Sequence, residues 1–90
     1  MDTEEPMAGG WTAYQDLTPD CRSVFDEARA GLIGVEYEPQ RVSVQIVAGI
    51  NYRYQATATL PGPSRQSWRA MVEIHAPLDG KPYITQISRI

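Results

Sequence analysis

The chain has 90 residues, of which 42% are hydrophobic and 21% charged, and its formal net charge is −3. This length allows one domain, near the lower limit for a self-sufficient core. The acidic balance argues against nucleic acid or an anionic membrane as the main partner. A single cysteine, Cys21, excludes an internal disulfide framework.

The first residues predict a lead-in without a core. Residues 1–8 carry acidic side chains, a proline and little to bury, so we expect them to be disordered and the single domain to span residues 9–90. The printed sequence has no basic-then-apolar leader and no long apolar run, which predicts a cytoplasmic protein and leaves secretion of a processed form open. Gly9 and Gly10 free the backbone before Trp11, the first large apolar anchor.

A helix is predicted next, with Thr18 as its cap and Pro19 in its first turn. Apolar side chains then recur at three- and four-residue spacing, at Cys21, Val24, Phe25, Ala28 and Leu32. Gly31 and Gly34 predict an end between residues 30 and 33. Within this stripe, Cys21 is interpreted as packing rather than as a nucleophile.

Two alternating segments follow and predict a β-hairpin with its tip at residues 45–49. Val42, Val44 and Ile46 fall on one face of the first segment, and Ile50, Tyr52 and Tyr54 on one face of the second. Hairpin tips favour polar residues that tolerate positive φ, yet this tip carries Val47 and Ala48, with only Gly49 to turn the chain. The apolar tip indicates a surface that is buried against a partner. The alternative is a strand boundary misplaced by a few residues.

Two more strands complete a predicted α+β fold, in which one helix packs across an antiparallel meander sheet of four to five strands. The third strand covers residues 68–76 and the last residues 83–90, with turns at residues 60–65 and 77–82. Successive turns of a meander alternate between the two ends of the sheet. The apolar tips at residues 47–49 and 77–78 are therefore expected to be neighbours. Trp11 and Trp68 are interpreted as core or near-core residues.

The sequence Gln45-Ile46-Val47-Ala48-Gly49 contains the pattern Gln-X-Val-X-Gly. This is the first-hairpin signature of the cystatin family, inhibitors of papain-like cysteine proteases. The resemblance covers nearly the whole chain, because an N-terminal glycine, a helix and a second hairpin stand in the same order and spacing. The absence of disulfides and of a leader is similar to the stefin or plant-type branch. One departure lies in the second loop, where Pro77-Leu78 replaces the Pro-Trp or Leu-Pro of relatives.

The resemblance implies a cystatin-like fold and a reversible, competitive, non-covalent inhibitor that plugs the protease cleft with an N-terminal glycine region and two hairpin loops. It implies no cofactor and an active monomer. A domain-swapped dimer is expected as a competing form. Val47, held in a tight turn, is expected to store the backbone strain that favours such swapping. The implied protease-binding residues are Met7, Ala8, Gly9, Gly10, Gln45, Ile46, Val47, Ala48, Gly49, Pro77 and Leu78.

Catalysis is not expected, because Cys21 falls on the buried helix stripe while His75, the one histidine, points to the solvated face of a strand. No glycine-rich phosphate loop and no metal-ligand spacing appears either. The alternative to inhibition is a protein–protein interaction module that keeps the cystatin fold, an interpretation that the altered second loop favours.

Overall fold

A computed structural model describes residues 9–90 of the chain, and the predicted lead-in, with Met7 and Ala8, lies outside the described residues. The elements in chain order are β1 (Gln15–Asp16), α1 (Pro19–Ala28), β2 (Glu36–Val47), β3 (Gly49–Leu60), β4 (Gln66–Ala76) and β5 (Tyr83–Arg89). The strands form one antiparallel sheet in the order β1-β2-β3-β4-β5. The predicted α+β arrangement of one helix on an antiparallel sheet is confirmed. The sheet has five strands, not four, because the short β1 pairs with the middle of β2.

Helix α1 begins as predicted and ends earlier than predicted. Thr18 caps it, accepting a hydrogen bond of 3.2 Å from the backbone amide of Cys21, and Pro19 is its first residue. The end at Ala28 corrects the expected range of residues 30–33. Beyond Ala28 the backbone bonds tighten to a three-residue spacing, with Leu32 N donating to Arg29 O at 2.9 Å. Leu32 is therefore outside the helix and exposed, instead of completing its apolar stripe.

The core lies between α1 and one face of the sheet. Its buried side chains are Phe25, Val42, Tyr52, Tyr54, Val72 and Ile74. Phe25 is the one fully buried residue of the helix and meets the Tyr54 ring edge-on at 4.9 Å between centroids. The Tyr54 hydroxyl donates to the Cys21 carbonyl at 2.8 Å, which ties the helix to the middle strand. Cys21 itself is half-buried against this cluster, in the packing role expected of it.

Strand β2 starts at Glu36, and Pro39 lies beside a register shift between Pro39 and Arg41. A proline at a bulge loses no ladder hydrogen bond, so the sheet tolerates it there.

Among residues 9–90, no helix is long and apolar enough to cross a membrane.

The two tryptophans were expected in the core or near it, and neither belongs to the buried cluster. Trp68 lies on the core face of β4, in alternation with the buried Val72 and Ile74. Both tryptophans are half-buried, and each ring lies under a guanidinium, with Arg53 at 4.0 Å from the Trp11 ring centre and Arg89 at 4.7 Å from that of Trp68. Arg53 belongs to the sheet face away from the helix, so Trp11 covers that open face. Each indole gains a cation–π contact at a partly solvated position.

Candidate functional site

The first hairpin turns within three residues. Val47 ends β2, Gly49 begins β3 and only Ala48 stands between them, while Ile46 pairs with Ile50. The reversal is taken by Gly49, whose φ is +103°, and no non-glycine residue among residues 9–90 has a positive φ. The strain expected at Val47 is therefore absent from its φ, since the left-handed conformation falls on the residue that adopts it at least cost.

Gly49 also brings the two loops together. A Cβ atom built on Gly49 would overlap the carbonyl oxygen of Ala76 and come within 3.0 Å of the Cα of Pro77. The backbone of the first tip is thus in direct contact with the end of β4. This confirms that the first and third turns of the meander are neighbours, and it shows why only glycine fits at this position.

The N-terminal segment runs antiparallel along the free edge of β2 and ends beside the same tip. The amide of Gly9 donates to the carbonyl of Ile46 at 3.1 Å, and that of Thr12 donates to the carbonyl of Val44 at 2.9 Å. Trp11 forms a bridge with Gln45 between these two bonds. Gly9 has a φ of +81°, so a glycine suits it for conformational reasons. Gly10, which lies between the hydrogen-bonded residues Gly9 and Thr12, is half-buried.

These three segments, Gly9–Gly10, residues 45–49 and residues 76–78, form one continuous surface that we name the tip edge. Its apolar side chains face solvent to different degrees, since 39% of Val47 and 83% of Leu78 is exposed. Ala48 is exposed, while Pro77 is half-buried. Ile46 is half-buried on the helix side of the sheet, as its alternation predicted. The tip edge therefore presents small and aliphatic groups on a backbone that its neighbours hold in place.

A chain of polar side chains supports the tip edge on the open face of the sheet. The Gln45 side-chain amide donates to the carbonyl of Gly9 at 3.1 Å, and its oxygen accepts from the Asn51 amide at 2.8 Å. The oxygen of Asn51 then lies 2.6 Å from Nδ1 of His75, whose ring meets Tyr83 edge-on. The chain links the N-terminal segment, β2, β3 and β4, and it reaches β5 through the ring contact.

A second polar group lies beside this chain. The Arg53 guanidinium bonds to the Glu73 carboxylate at 3.0 Å and stacks on Trp11. Glu73 also accepts from the Thr85 hydroxyl through its backbone carbonyl at 3.2 Å. The indole of the N-terminal segment is thereby held against β3 and, through Glu73, against β4 and β5.

The residues with chemical reactivity are kept apart. Cys21 belongs to the helix side of the sheet, whereas His75 is bonded to Asn51 on the open side. The histidine is half-buried and hydrogen-bonded, which corrects its expected position as a simply solvated side chain. Burial away from water raises the pKa of the Tyr54 phenol well above its ordinary value, with Cys21 adding to the shift, so this hydroxyl stays protonated as a donor. Among residues 9–90, no group of three or more His, Cys, Asp or Glu side chains is placed to hold a metal ion.

Most of the sequence-predicted site residues meet at the tip edge. Gly9, Gly10, residues 45–49, Pro77 and Leu78 are brought together, and Met7 and Ala8 lie outside the described residues. Sequence reasoning missed Asn51 and His75. Their signal was the register, because a tight turn at residue 48 pairs Gln45 with Asn51, and a meander then pairs Asn51 with His75. No protein-family model, curated protein or solved structure matches this chain.

Proposed function

We propose that this chain is a cystatin-like, reversible and competitive inhibitor of papain-like cysteine proteases, which it blocks by inserting the tip edge into the active-site cleft. The observation that carries the proposal is the position of the complete pattern Gln45-Ile46-Val47-Ala48-Gly49. It stands at a hairpin tip that contacts both the N-terminal glycine and the second apolar loop. These are the segments that the family resemblance implies, and in this fold they are adjacent to one another.

The order of the tip edge supports a binding role. Association costs several kcal/mol in lost freedom of the partners and of their loops, so a loop ordered before binding loses less. Here the tip is fixed by the Gly49 contact with Ala76 and Pro77, and the N-terminal segment is fixed by hydrogen bonds to Ile46 and Gln45. Short side chains and glycine let this backbone approach another protein closely.

The side chains of the tip edge suit a complex that blocks the protease cleft without a covalent reaction. Val47 and Leu78 offer apolar area that is solvated in the free protein. Burying it contributes up to about 1.5–3 kcal/mol for Leu78 and less for Val47, which is already more than half covered. The proposed interface is of standard size, on the order of 1,600 Å² in total. No nucleophile of the inhibitor takes part, because its one cysteine lies on the other side of the sheet. Binding is therefore expected to be non-covalent.

Steady-state inhibition of papain by the full chain tests the proposal. We expect the apparent KM to rise with inhibitor concentration at constant kcat, and trypsin to be unaffected because its cleft has a different shape. Absence of papain inhibition at about 10 µM, which corresponds to a binding free energy weaker than about −7 kcal/mol, contradicts the proposal.

Papain with its catalytic cysteine replaced by alanine provides a matched binding control. Since the proposed complex contains no covalent bond, this inactive enzyme should bind with an affinity close to that of the active one.

The second candidate, an interaction module of the same fold, rests on the departure at Pro77-Leu78, where the loop lacks the residues of related inhibitors. Lack of binding to both forms of papain by a folded protein favours that candidate.

A further inference from the structure

A row of side-chain hydrogen bonds runs from the Gly9 carbonyl through Gln45 and Asn51 to His75. The Gly9 carbonyl fixes which partner donates in each of these bonds. The Gly9 carbonyl can only accept, so the nearby Gln45 side chain must present its amide nitrogen to it, at 3.1 Å. The oxygen of Gln45 then faces Asn51 and accepts from the Asn51 amide nitrogen at 2.8 Å. Neither amide can be reversed without placing two donors or two acceptors against each other.

The same logic fixes a proton on the histidine. With its nitrogen committed to Gln45, Asn51 presents its oxygen to His75, and that oxygen lies 2.6 Å from Nδ1. A carbonyl oxygen accepts only, so Nδ1 must carry a hydrogen. In the neutral ring this leaves Nε2 unprotonated, because the tautomer is set by the bond that the other nitrogen makes.

We propose that Asn51 and His75 are positioning residues for the N-terminal segment, which they hold by fixing the amide orientation of Gln45. Neither residue lies on the tip edge. Each acts through the next, from β4 to β3, from β3 to β2, and from β2 to the Gly9 carbonyl. Gln45, Asn51 and His75 are half-buried, and the two bonds between them are partly shielded from water, while the bond from Gln45 to the Gly9 carbonyl is exposed.

The geometry of the sheet supports this assignment. Gln45 is directly paired with Asn51, and Asn51 with His75, so the three side chains stand in one row across the strands. The Tyr83 ring closes the row at 5.6 Å from the His75 ring and limits the rotation of the imidazole. The Nδ1–H group of His75 is thus held within hydrogen-bond distance of the Asn51 side-chain oxygen.

The first test uses the unmodified protein and reads the tautomer. Long-range ¹H–¹⁵N correlation spectra of ¹⁵N-labelled protein, recorded at a pH where His75 is neutral, distinguish a protonated Nδ1 from a protonated Nε2. We expect the Nδ1–H form. A ring protonated only on Nε2 overturns the proposal, because its Nδ1 lone pair would face the Asn51 oxygen. This experiment needs neither a variant nor a protease.

The second test measures hydrogen exchange of the Gly9 amide, which is bonded to Ile46. His75→Phe keeps a ring against Tyr83 but removes the donor, and it should raise exchange at Gly9 by about 2- to 10-fold, the range that one net hydrogen bond represents. His75→Asn places a nitrogen donor at the same distance along the side chain as Nδ1 and should restore slow exchange. Equal exchange in the unmodified protein and in folded His75→Phe overturns the proposal.

Ser67→Ala is the matched control for these variants. It removes a hydrogen bond to Thr59 on the same face of the same two strands, at the other end of the sheet. Exchange at Gly9 should stay at the value of the unmodified protein. An increase as large as that of His75→Phe shows general loosening of the sheet and contradicts a positioning role.

The consequence for inhibition rests on the proposed function. His75→Phe should speed dissociation from papain by about 2- to 10-fold, and His75→Asn should not, since only the first frees the N-terminal segment. If the unmodified protein does not inhibit papain, the proposed function fails, while the tautomer and the exchange of Gly9 still decide the role of Asn51 and His75. If inhibition is present and His75→Phe changes neither the exchange of the Gly9 amide nor the dissociation rate, only the positioning role fails.

Discussion

Each end of the sheet has an apolar strand residue of similar exposure, and the two ends differ in the contacts that support that residue. At the tip edge Val47 is 39% exposed, and at the opposite end Leu60 is 42% exposed, beside a turn rich in proline and glycine. By exposure alone, both ends could bind another protein. Only the tip edge combines an N-terminal segment, two loops and a polar chain in mutual contact.

Two glycines make the difference concrete. Gly49 and Gly62 both have positive φ, at +103° and +125°. A Cβ built at Gly62 meets nothing within 4 Å, whereas one at Gly49 overlaps Ala76. The turn around Gly62 is closed by a single backbone bond of 3.3 Å, from Arg65 N to Gly62 O. The turn around Gly62, here called the far turn, needs glycine only for its positive φ. The tip edge needs glycine at position 49 both for its positive φ and for the close packing of the two loops. Ordered contact, more than exposed area, distinguishes the proposed binding end.

The largest expected effect comes from adding a methyl group at each glycine. Gly62→Ala carries the cost of positive φ, about 1–3 kcal/mol in the free energy of unfolding. Gly49→Ala carries a similar backbone cost and a further 1–3 kcal/mol, roughly, for the overlap with Ala76. Urea denaturation of both variants measures the difference. Equal losses mean that the two loops separate easily and that the tip edge is no more ordered than the far turn.

A charge at each end separates binding from stability. Val47→Asp and Leu60→Asp replace side chains of nearly equal exposure, so each should change the free energy of unfolding by about 1 kcal/mol or less. Val47→Asp should weaken papain binding at least about 100-fold, or 2.7 kcal/mol, because an unpaired carboxylate enters an apolar cleft. Leu60→Asp should bind normally.

The control for this pair is Ile46→Asp. Ile46 is half-buried on the helix side and pairs with Ile50, so a charge there should lower stability by about 2–4 kcal/mol. Thermal unfolding and papain titration of the three variants together decide the outcome. Equal loss of binding in Val47→Asp and Leu60→Asp, with folding intact, removes the distinction between the two ends.

Sequence patterns predicted the strands better than the helix end or the supporting contacts. Period-two alternation correctly placed Val42, Tyr54 and Val72 on the core face, because one buried face fixes strand register. The meander then made the two apolar turns neighbours. The early end of α1 at Ala28 was not predictable from Gly31, since a tightened last turn leaves no mark in the spacing of apolar residues.

The polar support of the tip edge could not be derived without the exact register. A shift of one residue moves a side chain to the other face of the sheet. The Gln45–Asn51 pair therefore depends on the length of the turn at Ala48, and the Asn51–His75 pair on the length of the turn at residues 61–65. Likewise, Trp11 was expected near the core because large apolar side chains usually are. Its position over Arg53 results from β1 and the preceding residues pairing with β2, a contact between distant segments that local patterns do not contain.

A smaller effect is expected in the centre of the sheet, which both ends share. Tyr54→Phe removes the hydrogen bond to the Cys21 carbonyl and should lower stability by about 0.5–1.5 kcal/mol without changing papain affinity. A change in affinity would show that the core, and not the local contacts, maintains the tip edge. Urea denaturation and papain titration at neutral pH provide the two values.

The same residue gives a pH dependence with a definite sign. Burial raises the pKa of Tyr54 above the value of about 10 for an unfolded tyrosine, so the folded state keeps its proton longer. This contribution is fully present below about pH 10 and falls as pH rises, by about 1.4 kcal/mol per pH unit. Tyr54→Phe should make the alkaline decline shallower, leaving the part due to Tyr52, whose pKa burial also raises. An unchanged slope contradicts this origin.

The smallest expected effect tests the second loop against the far turn. Leu78 is 83% exposed, so Leu78→Ala should change the free energy of unfolding by less than about 0.5 kcal/mol, as should Leu60→Ala. In the complex, Leu78 is expected to lose its water, and its truncation should weaken papain binding by about 5- to 10-fold, while Leu60→Ala binds normally. Leu78→Trp places in this loop the aromatic residue that some of the resembled inhibitors carry there, with more area to bury, and should tighten binding by slower dissociation. If neither Leu78 variant changes the dissociation rate although Val47→Asp does, the first tip binds alone and the second loop serves only to pack against Gly49.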